Sequence, residues 1–223
     1  MRAVGALLRK DLRAELRTGE TVPAMCLFAV TTFVIFHFAL DRESIAGDLA
    51  SGVMWMTILF SGILGINRLF VAEREQGGFD GFLLAPVDRT AMLIAKATGL
   101  FLFLAALQVI AVPAFAVLLL DPSPFGSLHE LALVLVLGDL GIAVIGTLTS
   151  AIAVQTRARD LIVPIISLPL LIPLVIAASS ATSPLWAAGG AEDVPFKWLA
   201  VLGLYDLTFG LIAYAVFDFL LED

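Results

Sequence analysis

The sequence predicts an all-α integral membrane protein with six transmembrane helices, and three observations support that fold class. The chain has 223 residues, of which 60% are hydrophobic and only 15% are charged, and its mean hydropathy is +1.01. A soluble domain needs more charge than this to cover its surface. Six long apolar segments, and an alternating distribution of basic residues between them, are the second and third observations.

The six apolar segments are long enough to cross a bilayer. A helix needs roughly 20 apolar residues to span about 30 Å of hydrocarbon. Because hydrocarbon cannot satisfy exposed backbone groups, we expect each segment to be helical. The expected spans are about 22–40, 49–66, 91–120, 131–155, 161–182 and 198–221. Together they predict a single transmembrane domain over residues 1–223.

Basic residues concentrate in alternate connecting segments, with Lys96 just beyond the second of them. Those segments hold Arg2, Arg9, Lys10, Arg13, Arg17, Arg68, Arg74, Arg89, Arg157 and Arg159. The intervening loops hold only Arg42 and Lys197. Since cytoplasmic loops carry the excess of Lys and Arg, we expect both termini to lie in the cytoplasm.

The first 20 residues are charged throughout, so we expect no secretory signal and a first span that is retained. An amphipathic helix is predicted here, lying in the cytoplasmic interface with its basic side toward anionic headgroups. An ordinary surface helix is the alternative. Asp11 and Glu15 project near the apolar side, and we expect them to face protein rather than lipid. That apolar side consists of Val4, Leu8, Leu12 and Leu16.

The segment Asn67–Val87 (NRLFVAEREQGGFDGFLLAPV) is too charged to span the membrane. Gly77 and Gly78 are expected to break a helix continuing from the second span, and Pro86 to stop a second short piece. Such a helix–turn–helix along the cytoplasmic face can seat apolar anchors in a partner's groove while charges fix its orientation. A solvated connector is the alternative. The anchors are Phe70, Phe79, Phe82, Leu83 and Leu84, and the charges are Glu73, Arg74, Glu75 and Asp80.

These residues resemble the F-x-x-[DE]-x-x-x-G-x-[LF]-[DE]-x-[LF]-[LF]-L-x-P signature of the cytochrome c maturation heme exporter protein B family. The matching positions, with a slightly different internal spacing, are Phe70, Glu73, Gly77, Asp80 and Leu84 through Pro86. Leu7–Leu16 (LLRKDLRAEL) resembles the family's basic entry segment, and Ile166–Ile176 (ISLPLLIPLVI) its double-proline fifth span. The resemblance covers essentially the whole chain.

The resemblance implies an ABC-2 or exporter-type permease whose loop after span two is a coupling helix that docks on a cytosolic ABC ATPase. Phe79 and Phe82 occupy positions that the family often fills with leucine, which bears on the fit to that partner. The docking residues so implied are Phe70, Glu73, Arg74, Gly77, Gly78, Phe79, Asp80, Phe82, Leu84 and Pro86.

The resemblance also implies a biological setting. The chain would lie in the bacterial inner membrane and work with a heme-handling membrane subunit and a heme chaperone. ATP would bind to the partner subunit, and heme would be a transported or handled ligand. The family permits a homodimer or pairing with a different membrane subunit.

Two kinds of intramembrane residue are candidates for a role in transport. Pro164, Pro169 and Pro173 in span five can kink the helix and let it flex, although they are also compatible with packing alone. Asp139 in span four and Asp206 in span six would cost at least about 2.5–3.5 kcal/mol if charged near the bilayer centre. We therefore expect them to face the bundle or water, or to be protonated, in a pathway or a structural role.

The chain lacks the sequence features that are typical of other functional classes. The chain has no G-x-x-x-x-G-K-[ST] phosphate loop, so we do not expect it to hydrolyse ATP by itself. Cys26 is the only cysteine, and no basic patch points to nucleic acid. His37 and His129 are isolated and expected at the interface rather than on heme iron. No catalytic, metal or cofactor-binding residue is expected, and an ATP-independent transporter or scaffold is the alternative function.

Overall fold

The computed structural model describes residues 2–40, 44–71, 89–120, 128–153, 156, 158–189 and 191–220, without the side chains of residues 2 and 218–220. Within these ranges the fold consists of seven α-helices and a short 3-10 turn. The helices are α1 (Arg2–Thr18), α2 (Thr21–Ala39), α3 (Gly47–Arg68), α4 (Arg89–Leu119), α5 (Leu128–Ala153), α6 (Arg159–Thr182) and α7 (Phe196–Leu220), and the turn is Ser183–Trp186.

The helices α2 to α7 are each long and apolar enough to cross a membrane. This confirms the predicted fold class of an all-α membrane protein with six spanning helices. The amphipathic segment at the N-terminus is also helical, as α1. The predicted coupling helix lies outside the described residues apart from its first few positions.

The bundle is organised around α3 and α5, which are mostly buried, whereas α2, α4, α6 and α7 expose much of their apolar surface. α5 packs against α4, α6 and α7, and α3 packs against α2 and α6. A helix that is apolar all round suits either a protein core or lipid. The outer four helices therefore present their exposed apolar faces to the bilayer and shield the two central ones.

Small residues allow the central helices to approach their neighbours closely. An added Cβ at Gly138 of α5 would lie 2.2 Å from a ring carbon of Trp55 on α3. An added Cβ at Gly146 would lie 2.5 Å from Cγ1 of Ile66. Membrane helices associate through such packing, because lipid supplies no hydrophobic drive to bring them together.

Hydrogen bonds between side chains join the N-terminal end of α3 to the C-terminal end of α6 and the turn after it. The pairs are Trp55 Nε1 to Thr182 Oγ1 at 3.1 Å, Ser51 Oγ with Ser179 Oγ at 3.0 Å, and Ser183 Oγ to Asp48 Oδ1 at 2.6 Å. In a low-dielectric environment such bonds have little competition from water. The end of α6 farthest from α1 is thus fixed to the core of the bundle.

The contact between Gly138 and Trp55 gives a first test. Gly138→Ala should destabilise the bundle by about 1–3 kcal/mol, because the methyl group forces the indole out of its site. The measurement is the thermal unfolding midpoint of the protein in detergent micelles.

Gly203→Ala in α7 is the matched control, since an added Cβ there meets no atom within 4 Å. It should keep or raise the midpoint, because alanine favours a helix by about 1 kcal/mol over glycine. Equal midpoints for the two variants would contradict the close packing of α3 on α5.

Candidate functional site

A cleft of about 730 Å³ opens at the end of the bundle where α2, α4 and α6 begin and α3 ends. The helix α1 forms one of its walls and packs against α4. The charged or polar lining includes Asp11, Glu15, Asn67, Arg68, Lys96 and Arg159. Residues 72–88, the greater part of the predicted coupling segment, connect to the bundle at this same end.

Lys96 of α4 is the central group of this site. Its side chain is only 5% exposed, and its Nζ lies 2.9 Å from Oδ2 of Asp11 on α1. The same ammonium donates a hydrogen bond of 3.0 Å to the carbonyl of Leu69 and lies 5.3 Å from the ring centroid of Phe70. One buried ammonium on α4 therefore contacts both α1 and the chain just after α3.

Sequence reasoning used Lys96 only as an orientation signal and missed this role. A buried ammonium needs an opposite charge and hydrogen-bond acceptors, because leaving it alone costs several kcal/mol. The signal that could have identified the pair was Asp11, a carboxylate on the apolar side of α1. The structure confirms that Asp11 faces protein rather than lipid.

Glu15, the second acidic residue on that side, also faces protein. Its Oε1 accepts hydrogen bonds of 2.8 Å from the backbone N–H groups of Thr21 and Val22, which open α2. The first N–H groups of a helix lack intrahelical partners, and a carboxylate there also complements the helix dipole. Gly19, with a φ of 60°, makes the sharp turn between the two helices. Asp11 and Glu15 thus attach α1 to both α4 and α2.

A second ion pair joins the turn between α1 and α2 to the end of α3. Arg68 Nη1 lies 2.7 Å from Oε2 of Glu20. Both side chains are about half exposed or more, so the pair contributes about 0–1 kcal/mol. The buried pair at Lys96 is therefore the stronger attachment of the two.

The implied docking residues are mostly outside the described ranges. This holds for Glu73, Arg74, Gly77, Gly78, Phe79, Asp80, Phe82, Leu84 and Pro86. Phe70 is described, and its side chain is fully buried beneath Lys96. It holds the start of the segment against the bundle, and its part in docking stays a prediction.

Two carboxyl groups lie within the membrane-spanning part of the bundle. Asp139 of α5 is 1% exposed, and Gln108 Nε2 on α4 donates to its Oδ1 at 2.7 Å. Asp206 of α7 is 7% exposed, and neither of its oxygens has a hydrogen-bond partner in the described part of the chain. Sequence reasoning found both residues but not Gln108. Their part in a pathway stays a prediction.

The three prolines lie within α6. Pro164 is half-buried, whereas Pro169 and Pro173 are exposed on the outer surface of the bundle. The hydroxyl of Tyr205 on α7 donates to the carbonyl of Leu170, between the two outer prolines. A proline leaves the carbonyl four residues earlier without its usual donor, which weakens the helix there. Bending of α6 at these positions stays a prediction.

The two histidines have separate local partners. His37 Nδ1 donates to the carbonyl of Leu118 at 2.6 Å. His129 is largely exposed, with its Nε2 3.8 Å from Oε1 of Glu130. Over the described ranges, no group of three or more His, Cys, Asp or Glu residues is placed to hold a metal ion.

Comparisons with known proteins extend over nearly the whole chain. A family model described as CcmB protein matches residues 2–219. Proteins named heme exporter protein B are similar: that of Rhodobacter capsulatus is 30% identical over 211 residues, covering 94% of each chain. That of Bradyrhizobium diazoefficiens is 29% identical over 217 residues, covering 96% of each. That of Paracoccus denitrificans is 27% identical over 211 residues, covering 94% of this chain and 95% of the relative.

The buried pair at Lys96 predicts a large effect of removing one partner. Lys96→Met should destabilise the protein by about 3 kcal/mol, because it leaves the Asp11 carboxylate and the Leu69 carbonyl without the ammonium. We place the effect at the low end of the usual range, since Lys10 Nζ lies 3.4 Å from the other oxygen of Asp11. The measurement is the free energy of unfolding in mixed micelles.

Lys197→Met is the matched control, because Lys197 is an exposed lysine at the opposite end of the bundle, 5.1 Å from the Trp198 ring. It should change the free energy of unfolding by less than about 1 kcal/mol. Finding the same small change for Lys96→Met would show that the pair at Lys96 contributes little.

Proposed function

This chain belongs to the CcmB protein family, and from that membership we propose that it is the membrane subunit of a heme-exporting complex for cytochrome c maturation. The name of its relatives, heme exporter protein B, supports heme as the cargo or handled ligand. A separate cytosolic ABC ATPase supplies the energy, and this chain converts the movement of that ATPase into heme delivery or release of a heme-loaded chaperone. The chain itself is not an enzyme.

The observation that carries this proposal is that the chain just before residues 72–88 is bound to a buried ammonium on the helix that follows them. Leu69 and Phe70 lie just before that segment, and Lys96 lies in the second turn of the helix that follows it. A segment that transmits force must be joined firmly to the body that it moves. A flexible connector would not need a buried ion pair at its base.

Movement received there has a continuous route through packed helices. The end of α3 moves with Lys96, and the other end of α3 is hydrogen-bonded to α6 through Trp55 and Thr182. On the other side of Lys96, α4 is joined to α5 through Gln108 and Asp139. We infer that Pro164, Pro169 and Pro173 let α6 bend as its fixed end follows α3.

We place the cleft end of the bundle in the cytoplasm and the protein in the bacterial inner membrane. Basic residues at that end support this orientation, because the positive charge of Arg68, Arg89 and Arg159 is retained on the cytoplasmic side. Both termini are then cytoplasmic. The ATPase binds to this cytoplasmic face. A heme-handling membrane subunit and a heme chaperone complete the complex.

Docking through residues 72–88 can be tested by co-purification. Phe79→Asp with Phe82→Asp should remove the ATPase from the purified complex, because two apolar anchors are replaced by charges. We expect a loss of about 2 kcal/mol or more of binding free energy, the size of an interface hot spot. The measurement is the ratio of ATPase to membrane subunit after detergent extraction and affinity purification.

Phe196→Asp is the matched control, since Phe196 is 80% exposed and lies at the first position of α7, at the opposite end of the bundle. The ATPase should stay bound to this variant. Undiminished association in a folded Phe79→Asp, Phe82→Asp variant would contradict docking here and favour an ATP-independent transporter or scaffold.

A further inference from the structure

Asp206 sits near the middle of α7, about 15 Å along the helix axis from Phe196. It is more than nine-tenths buried. Both carboxyl oxygens lack a hydrogen-bond partner in the described part of the chain, although almost every buried polar group in a protein has one. Asp206 lies ten residues after the start of α7 and fourteen before its end.

The carboxyl group packs directly against the backbone of α5. An added Cβ at Gly141 would lie 2.6 Å from Asp206 Oδ1 and 2.6 Å from Cδ1 of Leu174 on α6. Glycine at position 141 therefore provides the space that the carboxyl occupies. The group is enclosed by the surface of one helix and an apolar side chain of another.

Among the described residues, no positively charged group donates to the carboxyl of Asp206. Asp139 is two residues from Gly141, so it projects from the other side of α5, where Gln108 binds it. The remaining titratable or charged residues lie toward helix ends or have other partners, as Tyr205 does at Leu170. Those described on the packed helices are His129 and Glu130 on α5, Arg159 and Asp160 on α6, Arg89 and Lys96 on α4, and Lys197, Tyr205 and Tyr214 on α7 itself.

We propose that Asp206 is a proton-binding site of the bundle, occupied while α7 packs against Gly141 and released when the two helices separate. A bare carboxylate without a donor or counter-charge is strongly disfavoured in hydrocarbon, whereas the neutral acid is tolerated. The proton comes from water as the helices close and returns to water as they open. No other bond forms or breaks, so the site links the packing of α7 to proton uptake.

The direct test uses dicyclohexylcarbodiimide, an apolar reagent that adds to protonated carboxyl groups. The acid proton moves to a nitrogen of the reagent, the carboxyl oxygen bonds to its central carbon, and the adduct rearranges to a stable acylurea. Membrane vesicles containing the full chain in its complex are treated at about pH 6, where an aspartate in water is already ionised. Peptide mass spectrometry should place the adduct on Asp206.

Two variants make the labelling specific. Asp206→Asn should lose the adduct from this peptide, whereas Asp193→Asn, which removes an exposed carboxyl from the loop before α7, should leave the labelling unchanged. Absence of an adduct on Asp206 in the intact wild-type complex would overturn the proposal without reliance on any variant. Protection of Asp206 by sodium ions at constant pH would also overturn it, in favour of a metal cation.

A second measurement separates proton binding from a merely structural role. If the packed bundle holds a proton that the unfolded chain does not, stability falls as the pH rises. The melting temperature of the wild type should therefore decrease between about pH 5 and pH 7, and this decrease should be smaller in Asp206→Asn but unchanged in Asp193→Asn. The same decrease in all three proteins would overturn the proposal.

Discussion

A single buried charge, the ammonium of Lys96, constrains the end of the bundle where α1 packs. Because an unpaired charge there would cost several kcal/mol, α1 must fold onto α4 to bring Asp11 within 2.9 Å. For the same reason the chain after α3 must direct the carbonyl of Leu69 inward. The buried ammonium thereby joins α1, the chain just after α3 and α4 to one another.

Under the proposed function, the rest of the bundle carries movement away from that end. The two central helices, α3 and α5, are closely packed. Glycines on α5 leave space for the side chains of Trp55 and Ile66 to pack against its backbone. Far from α1, side-chain hydrogen bonds hold α3 and α6 together. The two intramembrane carboxyls differ in their hydrogen bonding. Asp139 accepts a hydrogen bond from Gln108, whereas the oxygens of Asp206 have no hydrogen-bond partner in the described part of the chain.

The number of spans was predictable from the sequence because the length of apolar segments dominates the fold of a membrane protein. The inward orientation of Asp11 and Glu15 was also predictable, since each interrupts the apolar side of α1. The partners of these carboxylates were not predictable. Lys96 is far from Asp11 in the sequence, and the carbonyl group that accepts from Lys96 depends on where α3 ends. The burial of Phe70 was missed for a related reason: an exposed anchor and a buried one look alike in a loop sequence. The roles of the remaining loop residues, the prolines and the carboxyls stay predictions.

The claim that α1 and α4 move as one body can be measured by cross-linking. In a Cys26→Ser background, Leu8→Cys and Gly99→Cys place two thiols together, since Leu8 Cδ1 lies 3.7 Å from an added Cβ at Gly99. A short bifunctional maleimide should join them in the assembled complex with equal yield in the absence and presence of ATP, and Lys96→Met should lower that yield. Loss of the cross-link on addition of ATP, or a yield that does not depend on Lys96, would contradict the account.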